Sequence, residues 1–134
     1  VDLSEARVLD LFAGSGAIGL EAISRGAKSC DFVEFRPSSL HALKANIGTL
    51  RLKERTRVFK RDAVQFAEAL GEASYDVVIA DPPYESRQLD RVIKSWMASR
   101  FSKVLAVEHA KIHEIPKGAV KFVLDDSAVT IYRT

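Results

Sequence analysis

The stretch "ARVLDLFAGSGAIG", residues 6–19, runs from an apolar segment into a glycine-rich turn. "ARVLDLF" (6–12) reads as a strand, and "AGSGAIG" leads into a short helix reaching about Arg25. The glycines at 14, 16 and 19 fit G-x-G-x-x-G in the strand-to-helix context that the dinucleotide fingerprint requires. Such glycines let backbone approach a ligand closely, and the helix N-terminus favours negative charge. A tight turn explains the same residues equally well. Asp10 and Phe12, just upstream, shift the balance. An acid at the strand's end would repel a diphosphate but could pair with an ammonium group.

Outward from that stretch, strands and helices alternate. "KSCDFVEF" (28–35), "TRVFKRD" (56–62), "YDVVIA" (75–80) and "KVLAVE" (103–108) read as further strands. Pro37 opens a helix with Leu40, Leu43, Ile47 and Leu50 on one face. Ala63, Phe66, Ala67 and Leu70 mark the next helix, and Leu89, Val92, Ile93, Trp96 and Met97 a fourth. After the loop "KIHEIPKG", the segments "AVKFVL" and "AVTIYR", joined by "DDS", alternate with period two and predict a closing antiparallel hairpin. The expected architecture is a single α/β domain over residues 1–134. Its seven-stranded sheet is mostly parallel, with helices on both faces.

The bulk properties agree. A chain of 134 residues, 47% hydrophobic and 28% charged, can bury one real core. A net charge of +2 permits an anionic partner without demanding one. No apolar run is long enough to span a bilayer and no signal-peptide pattern is present, so a cytoplasmic protein is expected. Cys30 is a lone thiol, and His41, His109 and His113 show no ligand-like spacing, so no metal site is expected.

In sheets of this kind ligands bind at the carboxyl ends of the strands, near the point where strand order reverses. Chemistry-bearing residues stand there. Glu34 ends the second strand, where an acid commonly grips ribose hydroxyls, although a solvated glutamate fits as well. Asp62 ends the third, able to accept from an adenine amine or to cap the following helix. The fourth strand runs into Asp81-Pro82-Pro83-Tyr84. Two prolines cannot extend a central strand, so they stiffen its exit and aim carbonyls into the cleft. With the Asp81 carboxylate these converge on one amino group, while Tyr84 offers a face on which a flat base stacks. An exocyclic base amine is a poor nucleophile because its lone pair is delocalised. Acceptors holding its hydrogens would turn that lone pair toward an electrophile.

These residues together resemble the S-adenosylmethionine-dependent amino-methyltransferases. "VLDLFAGSGAIGLEAISRGA" (8–27) is similar to the RsmD type, bacterial 16S ribosomal RNA guanine-N2 methyltransferases, as are "AVEHA" (106–110) and "DDSAVTIYR". The resemblance implies a Rossmann-like methyltransferase fold and S-adenosylmethionine as cofactor. It assigns Asp10, Phe12 and the Ala13-Gly14-Ser15-Gly16 backbone to the methionine part, Glu34 and Phe35 to the ribose, and Asp62 and Ala63 to the adenine. Asp81, Pro82, Pro83 and Tyr84 would bind the target amine and its base. It further implies direct displacement on an unpaired or flipped nucleotide, with 16S rRNA or a small-subunit particle as partner and a monomeric enzyme. Adenine-N6 enzymes share D-P-P-Y, so the base stays open. The family normally carries a basic N-terminal segment ahead of the first strand, so a missing extension is expected here. "RLKERTRVFKR" (51–61), with six basic residues against one acid, and Arg36 and Arg87 are candidate phosphate contacts. Two rivals remain. A nicotinamide-dependent dehydrogenase explains the glycines and Glu34 but gives D-P-P-Y no role, and a non-catalytic RNA-binding module keeps the fold alone.

Overall fold

The computed structural model describes residues 2–83 and 87–134. Seven strands form one sheet: β1 (Arg7–Leu11), β2 (Ser29–Val33), β3 (Thr56–Phe59), β4 (Tyr75–Ala80), β5 (Ser102–Ala110), β6 (Val120–Val123) and β7 (Ser127–Arg133). Their spatial order is β3-β2-β1-β4-β5-β7-β6. The first five run parallel, and β7 pairs antiparallel with both β5 and β6. The seven-stranded, mostly parallel sheet and its closing hairpin are as the alternation of segments predicts. The hairpin folds back so that its second strand, not its first, joins β5.

Among the described residues four α-helices cover the sheet: α1 (Ala17–Ser24), α2 (Pro37–Thr49), α3 (Ala63–Glu68) and α4 (Gln88–Ser99). Period-two alternation along the strands divides the core into two layers. Val8, Cys30, Phe32 and Val77 pack with Leu20, Ile23, Leu43 and Ile47 of α1 and α2. Leu9, Leu11, Val78 and Leu105 face the other way, against Val64 and Ala67 of α3 and Leu89, Val92 and Trp96 of α4. Burying Trp96 requires a partner for its indole N–H, and Nε1 donates to the Ser102 carbonyl at 3.0 Å.

Two strand ends differ from the sequence expectation for identifiable reasons. β3 stops at Phe59 rather than Asp62, because the Asp62 carboxylate leaves the strand to accept from Gln65 N at 2.8 Å and cap α3. β5 runs on to Ala110, because its ladder with β7 extends to the Ala110–Ser127 pair. A buried polar group ties the far end of the sheet together. Asp31 of β2 accepts two bonds from Arg57, at 3.0 and 2.7 Å, and one from the Tyr75 hydroxyl at 2.6 Å.

Candidate active site

The strand order reverses between β1 and β4, and a cleft of about 480 Å³ opens past their carboxyl ends. Its lining includes Phe12, Glu34, Phe35, Ala63, Asp81 and Glu108. Continuing the strand alternation, Asp10, Glu34, Asp81 and Glu108 share the parity of the residues that face α1 and α2. Four acids from four neighbouring strands thus gather at one end of one sheet face.

The glycine turn is held from both sides. Ala13 N donates to the Val33 carbonyl at 3.0 Å, Gly14 N to Glu34 Oε1 at 2.8 Å, and Asn46 Nδ2 of α2 to the Ser15 carbonyl at 3.0 Å. Phe12 adopts φ 59°, an uncommon conformation for a bulky residue. Gly14 and Gly16 are also left-handed, at 59° and 86°. A Cβ at Gly14 would meet nothing within 4 Å, so the turn presents open space on the ligand side. Gly19 serves packing instead: a Cβ there would lie 2.5 Å from Phe32 Cε1 and 2.7 Å from Cys30 Sγ.

Asp10 lies beneath this turn, only 2% exposed, and its Oδ2 accepts from Gly19 N at 3.1 Å. Its other carboxylate oxygen has no hydrogen-bond partner among the described residues. Burial pushes its pKa up to about 8, with the bond from Gly19 opposing and the charges of Asp81 and Glu34 adding to the rise. Asp10 itself is not among the residues lining the cleft.

Glu34 is buried and heavily engaged. Besides Gly14 N it accepts from Phe35 N and Arg36 N, both at 3.0 Å, and from the Arg36 guanidinium. Burial raises its pKa, but the bonds from Arg36 and Gly14 outweigh that and hold it below the usual glutamate range. A carboxylate has about four acceptor positions. A diol would therefore enter by displacing the exposed Arg36 side chain, not by filling vacant positions.

Asp62 caps α3 with its side chain, and Ala63 behind it lines the cleft. Asp81 is half-buried, Pro82 buried and Pro83 exposed, and all three border the cleft. Tyr84 lies outside the described residues. Burial pushes the Asp81 pKa up to about 6, and the Glu108 carboxyl beside it adds to the rise. Glu108 was not singled out from the sequence. Its signal was an acid within the run "VLAVEHA", whose importance depends on the pairing of β5 with β4.

The candidate phosphate contacts divide. Arg57 and Arg55 are tied to Asp31 and to the Ala27 and Lys28 carbonyls, and Arg36 to Glu34, whereas Arg61 is exposed at the cleft rim. His109 is buried against Thr130, and His113 pairs with Asp90. Among the described residues no three His, Cys, Asp or Glu side chains are grouped to hold a metal ion. Among the described residues no helix is long and apolar enough to cross a membrane.

The donor set fits S-adenosylmethionine. A buried carboxyl with an unused oxygen under an open glycine turn, amid further acids, suits a ligand whose sulfonium and ammonium charges would draw that carboxyl to its ionised form. It opposes a diphosphate.

Known proteins resemble this chain in both sequence and fold. The sequence profile of a family described as "Conserved hypothetical protein 95" matches residues 1–128. YlbH of Bacillus subtilis is 34% identical over 116 residues, covering 83% of this chain and 63% of that protein. "Ribosomal RNA small subunit methyltransferase D" of Escherichia coli is 34% identical over 99 residues, covering 70% of this chain and 49% of that protein. The chain therefore spans about half to under two thirds of the length of these relatives. A solved structure of a conserved hypothetical protein from Streptococcus pyogenes superposes with a TM-score of 0.86 at 28% identity, covering 97% of this chain and 86% of that one.

Proposed function

The chain belongs to the conserved hypothetical protein 95 family, that of the RsmD type, and from this membership we propose that it is an S-adenosylmethionine-dependent RNA methyltransferase. Its target is the exocyclic amine of a base, foremost guanine N2 in small-subunit ribosomal RNA, so it acts in the cytoplasm where that RNA is assembled. One observation carries the reading. Phe12, which leads from β1 into the glycine turn, and the Asp81-Pro82-Pro83 exit of β4 line the same cleft across the point where strand order reverses.

When bound, the cofactor supplies a methyl group already activated by its sulfonium. Asp10 and the 13–16 backbone would hold its methionine part, Glu34 and Phe35 its ribose, and Asp62 and Ala63 its adenine. The protein's own contribution is positional. Asp81 and the Pro82 carbonyl accept the two hydrogens of the target amine, so the nitrogen lone pair is turned out of conjugation and aimed. The resemblance assigns the stacking of the base to Tyr84, which lies outside the described residues. Alignment of this kind is worth on the order of 7–11 kcal/mol. Asp81 orients the amine and, with a pKa pushed up to about 6, takes the proton once the nitrogen becomes acidic.

Calorimetric titration tests the cofactor assignment. Saturable binding of S-adenosylmethionine with no response to NAD is expected, and binding of NAD without response to the methyl donor would return the chain to the dehydrogenase class.

A further inference from the structure

β4 and β5 run parallel with Ala80 opposite Val107, and the same register carried one residue on sets Asp81 beside Glu108. Both line the cleft, and both continue the parity of the α1–α2 face. Like charges side by side on neighbouring strands are unfavourable unless something stands between them. Among the described residues no Lys, Arg or His lies within ion-pair distance of either carboxyl. The arrangement is an acceptor pair facing ligand space, and it calls for a group presenting adjacent N–H donors.

We propose that Glu108 is the specificity-determining acceptor of the base site, receiving the ring N–H beside the exocyclic amine that Asp81 holds. The Watson–Crick edge of guanine presents N1–H and the N2 amine next to one another, both donors. Adenine presents its amine beside a bare N1 lone pair, which would face a carboxylate oxygen with no hydrogen between them. Two carboxylates in register therefore select the guanine edge and leave adenine with an unpaired contact in a partly desolvated site. This rests on the methyl-transfer reading and names the residue that chooses the base within it.

The test uses small-subunit rRNA carrying guanine, or by splinted ligation 2-aminopurine, at the nucleotide the wild type methylates. 2-Aminopurine keeps the amine but has a lone pair at N1, and its missing O6 affects all proteins alike, so it cancels between them. Wild type is expected to prefer guanine in kcat/KM by roughly 10- to 100-fold. Glu108→Gln, whose amide can donate to that lone pair, brings the ratio within about threefold or reverses it, as one exchanged charged hydrogen bond allows. Glu108→Ala loses rate on guanine, while both variants keep cofactor affinity by calorimetry. A Gln variant that binds cofactor normally and retains the wild-type ratio overturns the role of Glu108 alone. A wild type that binds cofactor but methylates no guanine overturns the functional reading and this assignment with it.

Discussion

Asp10 combines burial, one hydrogen bond from Gly19 and a pKa pushed up to about 8. Because the folded value lies above the ordinary one, its contribution to stability is fully present at low pH. That contribution is lost as pH rises from about 4 through about 8. Asp10→Asn keeps an oxygen for Gly19 and removes the charge. The variant is expected to melt at higher temperature than wild type at pH 8, with the difference shrinking toward pH 4, yet to bind S-adenosylmethionine at least about tenfold more weakly, as loss of a buried charge pair implies. Equal melting at both pH values would contradict the raised pKa of Asp10, and unchanged affinity would place Asp10 outside the cofactor site. Asp81 supplies the complementary case. Asp81→Ala should lower methyl transfer to 16S rRNA by about 100-fold or more, since misalignment at the reacting centre costs that much, with cofactor affinity little changed. Unaltered transfer removes Asp81 from the mechanism.

At the scale of elements, the glycine turn works because α1 lies close against β2. Gly19→Ala would push a methyl into Phe32 and Cys30, at 2.5 and 2.7 Å, and should cost about 1–3 kcal/mol in chemical denaturation. Tyr75→Phe removes one of three bonds to the buried Asp31 carboxylate, and a loss of about 1–3 kcal/mol is expected. If the Tyr75 variant unfolds at the same denaturant concentration as wild type, the Arg57 pair alone satisfies Asp31. Much at this scale could be read directly from the chain. Period two marked the strands, spacings of three and four marked the helices, and the glycines and prolines marked the turns. What stayed hidden was pairing. That β7 rather than β6 joins β5 and that Glu108 sits beside Asp81 both depend on register between segments far apart in sequence, whereas the Asp62 cap of α3, a contact three residues long, was legible as one of two readings.

For the whole molecule, the sheet brings acids from β2, β4 and β5 to line one cleft, with Asp10 of β1 buried nearby, while a basic rim residue, Arg61, borders it. An acidic floor suits a cationic methyl donor, and a cationic rim suits a polyanion approaching from outside. The sequence pointed to Asp10, Glu34 and Asp81 because each ends a strand. It could not reveal that Glu34 is already engaged by Gly14 and Arg36, since those bonds exist only once the turn has closed over β2. The proposal at the centre is that this cleft methylates the exocyclic amine of guanine. Its most direct test is the mass of the nucleoside released from small-subunit rRNA after incubation with the protein and S-adenosylmethionine. N2-methylguanosine is the predicted product, and N6-methyladenosine, or no methylated nucleoside from protein that binds the cofactor, would contradict it.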